Sequence, residues 1–224
     1  MSKILWDQVG EKQFETGVDR GVLYPQNSDG TYPMGEGWNG LTSVAENPSG
    51  AEDNALYADN IKYLNLKSAE EFGATIGCYY YPDSWEECDG TATVAKGVKM
   101  GQQKRRNFGL SYRTLKGNDT DGQDHGYKLH LIYNCSASPS EKSYTSVNDS
   151  PDAIEFSYEV TTTPIPVEGY KPTSLITIDS TEVDPEKLAE FEKILYGTDG
   201  VDGEPGTDPR LPLPAEVIAF FAEG

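Results

Sequence analysis

Three stretches of the chain alternate apolar and polar residues with period two, and this pattern limits the fold more than any other feature. In EEFGATIGCYYYP, Phe72, Ala74, Ile76, Cys78 and Tyr80 fall on one side. In GYKLHLIYNCSAS, Tyr127, Leu129, Leu131, Tyr133 and Cys135 form one face, with Lys128, His130 and Asn134 opposite. In AIEFSYEVTTTP, Ile154, Phe156, Tyr158 and Val160 point one way, and Glu155, Ser157, Glu159 and Thr161 the other. Side chains of a β-strand alternate between its two faces, so each stretch predicts a strand with one buried side. Weaker strands are expected at RGVLYP, GLTSVAE, IKYLNLKS, NFGLSYRTL and SLITIDS, which are rich in the β-branched and aromatic residues that strands favour. NSDGTYP, ENPSG, GNDTDG and NDSPD read as turns. Eight or nine short strands joined this way predict a mainly β, antiparallel sandwich or barrel.

One helix is expected, in DPEKLAEFEKILYG. Asp184 suits the N-cap, Pro185 the first helical position, and Gly197 a left-handed C-terminal residue. Leu188, Phe191, Ile194 and Leu195 make a single apolar stripe that should dock on a sheet. The chain therefore divides into a β core over 1–180, a docked helix over 181–198, and an acidic linker with an apolar arm over 199–224. In that last part glycine recurs at 197, 200, 203 and 206, too few triplets to mean a collagen helix. Val217, Ile218, Phe220 and Phe221 are too apolar for a free end and should bind the parent domain or a neighbouring subunit.

Signatures of chemistry are sparse. The two histidines are His125, in an Asp/Gly loop, and His130, which reads as a hydrogen-bonded strand residue at the surface. Nucleophile-elbow, phosphate-loop and dinucleotide patterns are absent from the sequence. GNDTDGQDHG has the residues of a calcium loop but not its register, and reads as a hairpin turn. Cys78, Cys88 and Cys135 lack metal-ligand spacing and read as small buried hydrophobes. No run of about 18 apolar residues is present, and the start lacks the apolar stretch of a signal peptide. A protein made in a cytoplasm, with no cofactor, metal or catalytic residue, is the expectation.

Charge carries more information. The formal net charge is -19. Yet residues 96–116, KGVKMGQQKRRNFGLSYRTLK, hold seven Lys or Arg and no acid. Residues 182–224 hold eleven acids against three bases. Nucleic-acid binding by phosphate neutralisation does not suit so acidic a chain. Lys104, Arg105 and Arg106 are expected to meet acidic surface on an adjacent copy, or else to form a solvated loop or pair within the chain. Trp85, followed by Glu86 and Glu87 in an expected loop, either reaches a neighbour or packs internally.

Three stretches resemble the major tail protein, or tail tube protein, of long-tailed bacteriophages. They are ETGVDRGVLYP at 15–25, the span 101–151 from GQQKRRNFGLSYRTLKGND to SYTSVNDSP, and AIEFSYEVTTTPIPVEGYKPTSLITID at 153–179. DPRLPLPAEVIAFF at 208–221 is similar to that family's C-terminal end. The resemblance implies a β-sandwich with a flanking helix, assembled into hexameric rings that stack into a tube in the virion. It implies as partners other copies of the chain, a tape-measure protein, and tail terminator and tail-tip proteins. DNA would pass through the bore without specific binding, and no membrane is involved. Alternatives are the tube of a contractile tail or a phage-derived bacteriocin and, in another class, a carbohydrate-binding β-sandwich.

Overall fold

The computed structural model describes residues 3–147, 149, 152–200 and 205–222. The turn expected at 148–152 and the centre of the glycine-rich stretch, 201–204, lie largely outside these residues. In chain order the strands are β1 Gln13–Pro25, β2 Glu36–Gly37, β3 Leu41–Glu46, β4 Ser49–Gly50, β5 Asp53–Ala58, β6 Ile61–Lys67, β7 Glu70–Glu71 and β8 Gly73–Cys78. Helix α1, Trp85–Asp89, follows, and then β9 Ala92–Ala95, β10 Val98–Met100, β11 Phe108–Asn118, β12 Gly122–Ala137, β13 Phe156–Thr162 and β14 Leu175–Asp179. Helices α2, Pro185–Tyr196, and α3, Pro214–Ala222, complete the chain.

The expectation of a mainly β, antiparallel architecture holds. One sheet runs β2-β1-β11-β12-β13-β8-β3, with β14 also paired to β12. Each pairing is antiparallel. The sheet curls without closing: its two ends approach where Trp38 N–H donates to Gly21 O at 2.7 Å, but β1 and β3 are not hydrogen-bonded strand neighbours. Gly21 permits this approach, since a Cβ there would lie 2.8 Å from Leu41 Cδ2 and 3.3 Å from Trp38 Cβ.

The hairpin of β11 and β12 is the centre of the sheet, and its two faces feed separate cores. On the inner face Leu23, Leu110, Tyr112 and Ile132 meet Ile76, Tyr158 and Val160 from the far side of the curl. On the outer face Val22, Tyr24, Leu129, Leu131 and Tyr133 lie under Leu188, Phe191 and Leu195 of α2 and Val217 of α3. His130 is accordingly buried, because the face that looked polar in the sequence forms the inner wall.

A bulge in β12 corrects the predicted face of Cys135. Phe108 pairs with Cys135 but Leu110 pairs with Ile132, so one extra residue sits on β12. Such an insertion shifts the alternation by one position. Tyr133 stays on the outer face, whereas Cys135 and Ala137 join the inner core. Asn134 adopts φ 51°, a left-handed conformation that asparagine tolerates better than most residues. Its amide is anchored, with Nδ2 donating to Thr163 O at 3.0 Å and Oδ1 accepting from Asn107 Nδ2 at 3.0 Å.

Helix α2 forms as predicted. Asp184 Oδ1 accepts from Glu186 N–H and Lys187 N–H at 2.9 and 3.0 Å, satisfying two of the helix's orphan donors. At the other end the sheet supplies a cap, as Tyr24 Oη donates to Leu195 O at 2.8 Å. Gly197 has the expected positive φ of 75°, but its ψ of 177° sends the chain out extended and not into a left-handed turn. The apolar C-terminal arm is a second helix that the sequence reading did not anticipate. It docks on α2 of its own chain, with Phe220 and Phe221 ring centroids 5.5 and 5.2 Å from Phe191.

Asn134→Val should cost about 2–3 kcal/mol, combining the left-handed backbone penalty with two lost hydrogen bonds. Asn134→Gly, which keeps the conformation, should cost roughly 1 kcal/mol. Urea unfolding of both variants measures the difference. Equal losses would show that the side-chain bonds, and not the bulge, matter at this position.

Candidate assembly surfaces

The basic segment is mostly occupied within its own chain. Lys99 pairs with Glu86. Arg106 Nη1 lies 2.9 Å from Glu87 Oε2, and its Nε donates to Gln26 O at 2.8 Å. Arg113 makes a two-point bond to Asp19 at 2.7 and 2.6 Å and lies 4.7 Å over the Tyr127 ring. Lys116 is nearly buried, 2.7 Å from Asp179 Oδ2 and 2.9 Å from Thr181 Oγ1. Of the loop residues expected to face a neighbour, Lys104 is exposed while Arg105 and Arg106 are half-buried. Four of the seven cations thus neutralise acids that the fold brings beside them.

The Lys116–Asp179 pair ties β11 to β14 across β12. Gly126 leaves room for it, since a Cβ there would sit 2.6 Å from Thr181 Cγ2 and 3.0 Å from Ser180 Oγ. Burial pushes the Asp179 carboxyl upward, but the bonds from Lys116 and Thr181 outweigh it and hold the pKa at about 2.

Trp85 belongs to α1, not to a loop, and its side chain is wholly buried. Its ring centroid is 4.8 Å from Trp38, 4.8 Å from Tyr158 and 5.1 Å from Phe108. The indole is committed to the inner core and presents nothing to a neighbour. At the C-terminal end Val217 is buried, Phe220 and Phe221 are half-buried against Phe191, and Ile218 is exposed. Val217 and the two phenylalanines therefore bind the parent domain, and Ile218 alone of the four faces outward.

The histidines are also held locally. His130 stacks on Tyr112 with ring centroids 4.6 Å apart, and its Nε2 is 3.0 Å from Thr114 Oγ1. Its Nδ1 lies 3.4 Å from Glu46 Oε1, the same oxygen that accepts from Tyr112 Oη at 2.6 Å. Burial lowers the pKa of His130, against the opposing pull of Glu46 and Glu15. In the Asp/Gly turn, Asn118 Oδ1 accepts from Thr120 and Asp121 N–H, Asp119 Oδ1 accepts from Gly10 N–H, and His125 lies 3.1 Å from Asp121. These side chains hold a hairpin turn. Among the described residues no cluster of three or more His, Cys, Asp or Glu is placed to hold a metal. The three cysteines are free and buried, and burial pushes their thiols up.

An uncovered apolar surface lies elsewhere, in an arm over 49–71 that continues β3 and β8 away from the sheet. Its base is the β4–β7 pair and its blade the β5–β6 hairpin. Asp59 and Asn60 form the tip, with φ of 50° and 64°, as a two-residue hairpin turn requires. Leu56 faces Leu64, Ala58 faces Ile61, and Asn54 faces Leu66, so one side carries an apolar stripe. None of its large residues is covered: Leu56 is 41% exposed, Ile61 67%, Leu64 37% and Leu66 52%. Tyr57 on the other side is 72% exposed. The sequence reading placed β6 in the core, but its alternation serves a hairpin whose large side chains are left uncovered by the described residues. The doublet Asp59-Asn60 between two apolar runs was the available signal for that hairpin.

No protein-family model matches the chain, and no curated protein matches it. Among the described residues no helix is long and apolar enough to cross a membrane.

The lowered pKa of Asp179 sets a pH dependence. A depressed carboxylate adds stability that is full above its ordinary value of 3.8 and is lost as pH falls toward 2. Asp179→Asn should therefore cost about 2 kcal/mol at neutral pH and progressively less below about pH 4. Denaturant midpoints across that range measure it, and a pH-independent difference would contradict the assignment.

Proposed function

We propose that this protein is a structural subunit that assembles with copies of itself into stacked rings, forming the tail tube of a long-tailed phage. The observation that carries the reading is the arm over 49–71. A lone two-stranded hairpin is marginally stable in water, and each large apolar side chain left exposed forgoes about 1.5–3 kcal/mol available on burial. An arm of this kind reaches roughly 30 Å from its root, far enough to lie across another molecule. The outer edge of β3 has no hydrogen-bonded strand partner, and its part beyond the Leu41 contact with β1 is of the type that pairs with another chain.

The sequence resemblance to tail tube proteins supplies the form of the assembly, and the charge fits it. A tube wall drawn from a chain of net charge -19 repels phosphate along the bore, where a cationic wall would retain DNA through counterion release. The reading gives the chain no reaction and no cofactor. A tube within a contractile tail would use the same surfaces. One observation favours a different class: Tyr80, 65% exposed, stacks on Tyr81 with ring centroids 5.4 Å apart, and exposed aromatic rings suit a sugar.

Negative-stain electron microscopy of the purified protein over a range of concentrations tests the reading. Rings or tubes with a central hole are expected. Leu56→Asp with Leu64→Asp, which leaves both cores untouched, should abolish them while the thermal melt stays within about 2 °C. Persistent monomers in the unmutated protein, with binding to cell-wall glycans, would replace this reading with the carbohydrate-binding one.

A further inference from the structure

A second uncovered apolar patch lies near the N-terminus. Ile4 is 69% exposed, Leu5 59%, Trp6 76% and Val9 82%. Residues 3–6 have no regular secondary structure, and Asp7 bends the chain with φ 55°. Among the described residues the chain is first tied to the rest of the domain at Gly10, whose N–H donates to Asp119 Oδ1 at 2.9 Å. Trp6 differs from the other two tryptophans, Trp38 and Trp85, which are 4% and 0% exposed. Four apolar side chains left open within six residues make a patch of the kind that marks an interaction site.

We infer that the Ile4-Leu5-Trp6 segment of one copy docks on the leucine stripe of the 49–71 arm of a second copy. This rests on the self-assembly reading above and names the contact that would carry it. Charge selects the pairing. Two chains of net charge -19 repel one another over most of their surfaces, so contact is least opposed where charge cancels. It cancels at the N-terminal patch and along the blade of the arm. In residues 3–9 Lys3 balances Asp7, and in the β5–β6 hairpin Asp53 and Asp59 balance Lys62 and Lys67, while Glu52, Glu70 and Glu71 confine the acidity to the arm's base.

Size points the same way. The stripe side of a hairpin this long offers about 250 Å², well under the roughly 800 Å² per partner of a stable interface. The arm therefore needs a partner that brings a large anchor and follows its length, and an aromatic side chain set among leucines is the usual form of such an anchor. Trp6 is the most exposed aromatic side chain of the described residues. The hairpin gains the third layer that a two-stranded ribbon lacks.

Because Trp38 and Trp85 are buried in the subunit, Trp6 dominates any change in tryptophan exposure. The experiment follows emission and acrylamide quenching of the full chain from dilute to concentrated solution, beside the sedimentation profile. The expected result is a blue shift and reduced quenching that track self-association, both lost in Leu64→Asp. Association itself should weaken at least about tenfold in Leu64→Asp and in Trp6→Ala. Mixing Asp7→Cys chains with Asn54→Cys chains, which keep Trp6 and the leucine stripe, should give a disulfide between unlike chains, the native thiols being buried. Assembly in which Trp6 stays water-exposed would overturn this inference and leave self-assembly standing. A blue shift independent of concentration would place the segment on its own arm and also overturn it. Absence of association at every concentration would remove both.

Discussion

The two-sided burial of the β11–β12 hairpin is the constraint on which the rest of the structure depends. A strand with apolar layers on both faces departs from strict alternation, and in β12 Ile132 breaks it on the side opposite Leu129, Leu131 and Tyr133. Each face must then be covered. The inner one is covered by the sheet's own curl and by Trp85 of α1, and the outer one by α2 and α3. The bulge at Asn134 lets one strand serve both, moving Cys135 and Ala137 into the inner core just where the sheet turns toward β13. Antiparallel sheets commonly leave one face to water, and this one instead places its free surface at the edges and in the arm.

Electrostatics follows from that arrangement. Bringing β1, β11, β12 and β14 together sets Asp19, Glu15 and Asp179 beside Arg113, Lys128 and Lys116. The basic run in the sequence is an internal counter-charge, Arg113 and Lys116 meeting Asp19 and Asp179 while Lys128 of β12 meets Glu15, and the unbalanced charge remains on the outside. The partly exposed pairs add little, about 0–1 kcal/mol each, and Lys116–Asp179 stands apart because both side chains are nearly buried. An exterior of strong negative charge interrupted by neutral apolar segments limits where copies can meet.

Much of this was legible in the sequence, and the exceptions share a cause. Period two gave the strands at 73–78, 122–137 and 156–162, and capping residues gave α2 to within a residue of its ends. The positive-φ residues at the two bulges, Arg20 and Asn134, were not legible, because their sequence neighbours do not announce a bulge. Helix α3 was hidden by the prolines that precede it, and α1 by its single turn. Alternation alone could not separate β6 in the exposed arm from strands of the core, since period two records which side is apolar but not what covers it. The open Trp6 was missed for the same reason: exposure depends on tertiary packing, and short apolar segments look alike whether covered or bare.

The account's central claim is that the arm over 49–71 is completed by another copy of the chain. Amide hydrogen exchange at residues 53–67, compared between dilute protein and assembled particles, tests it most directly. The account predicts fast exchange in the isolated subunit, close to that of an unprotected hairpin, and protection raised by at least about a hundredfold on assembly. Strong protection already present in the monomer, or an arm that still exchanges freely in the assembled particle, would contradict it.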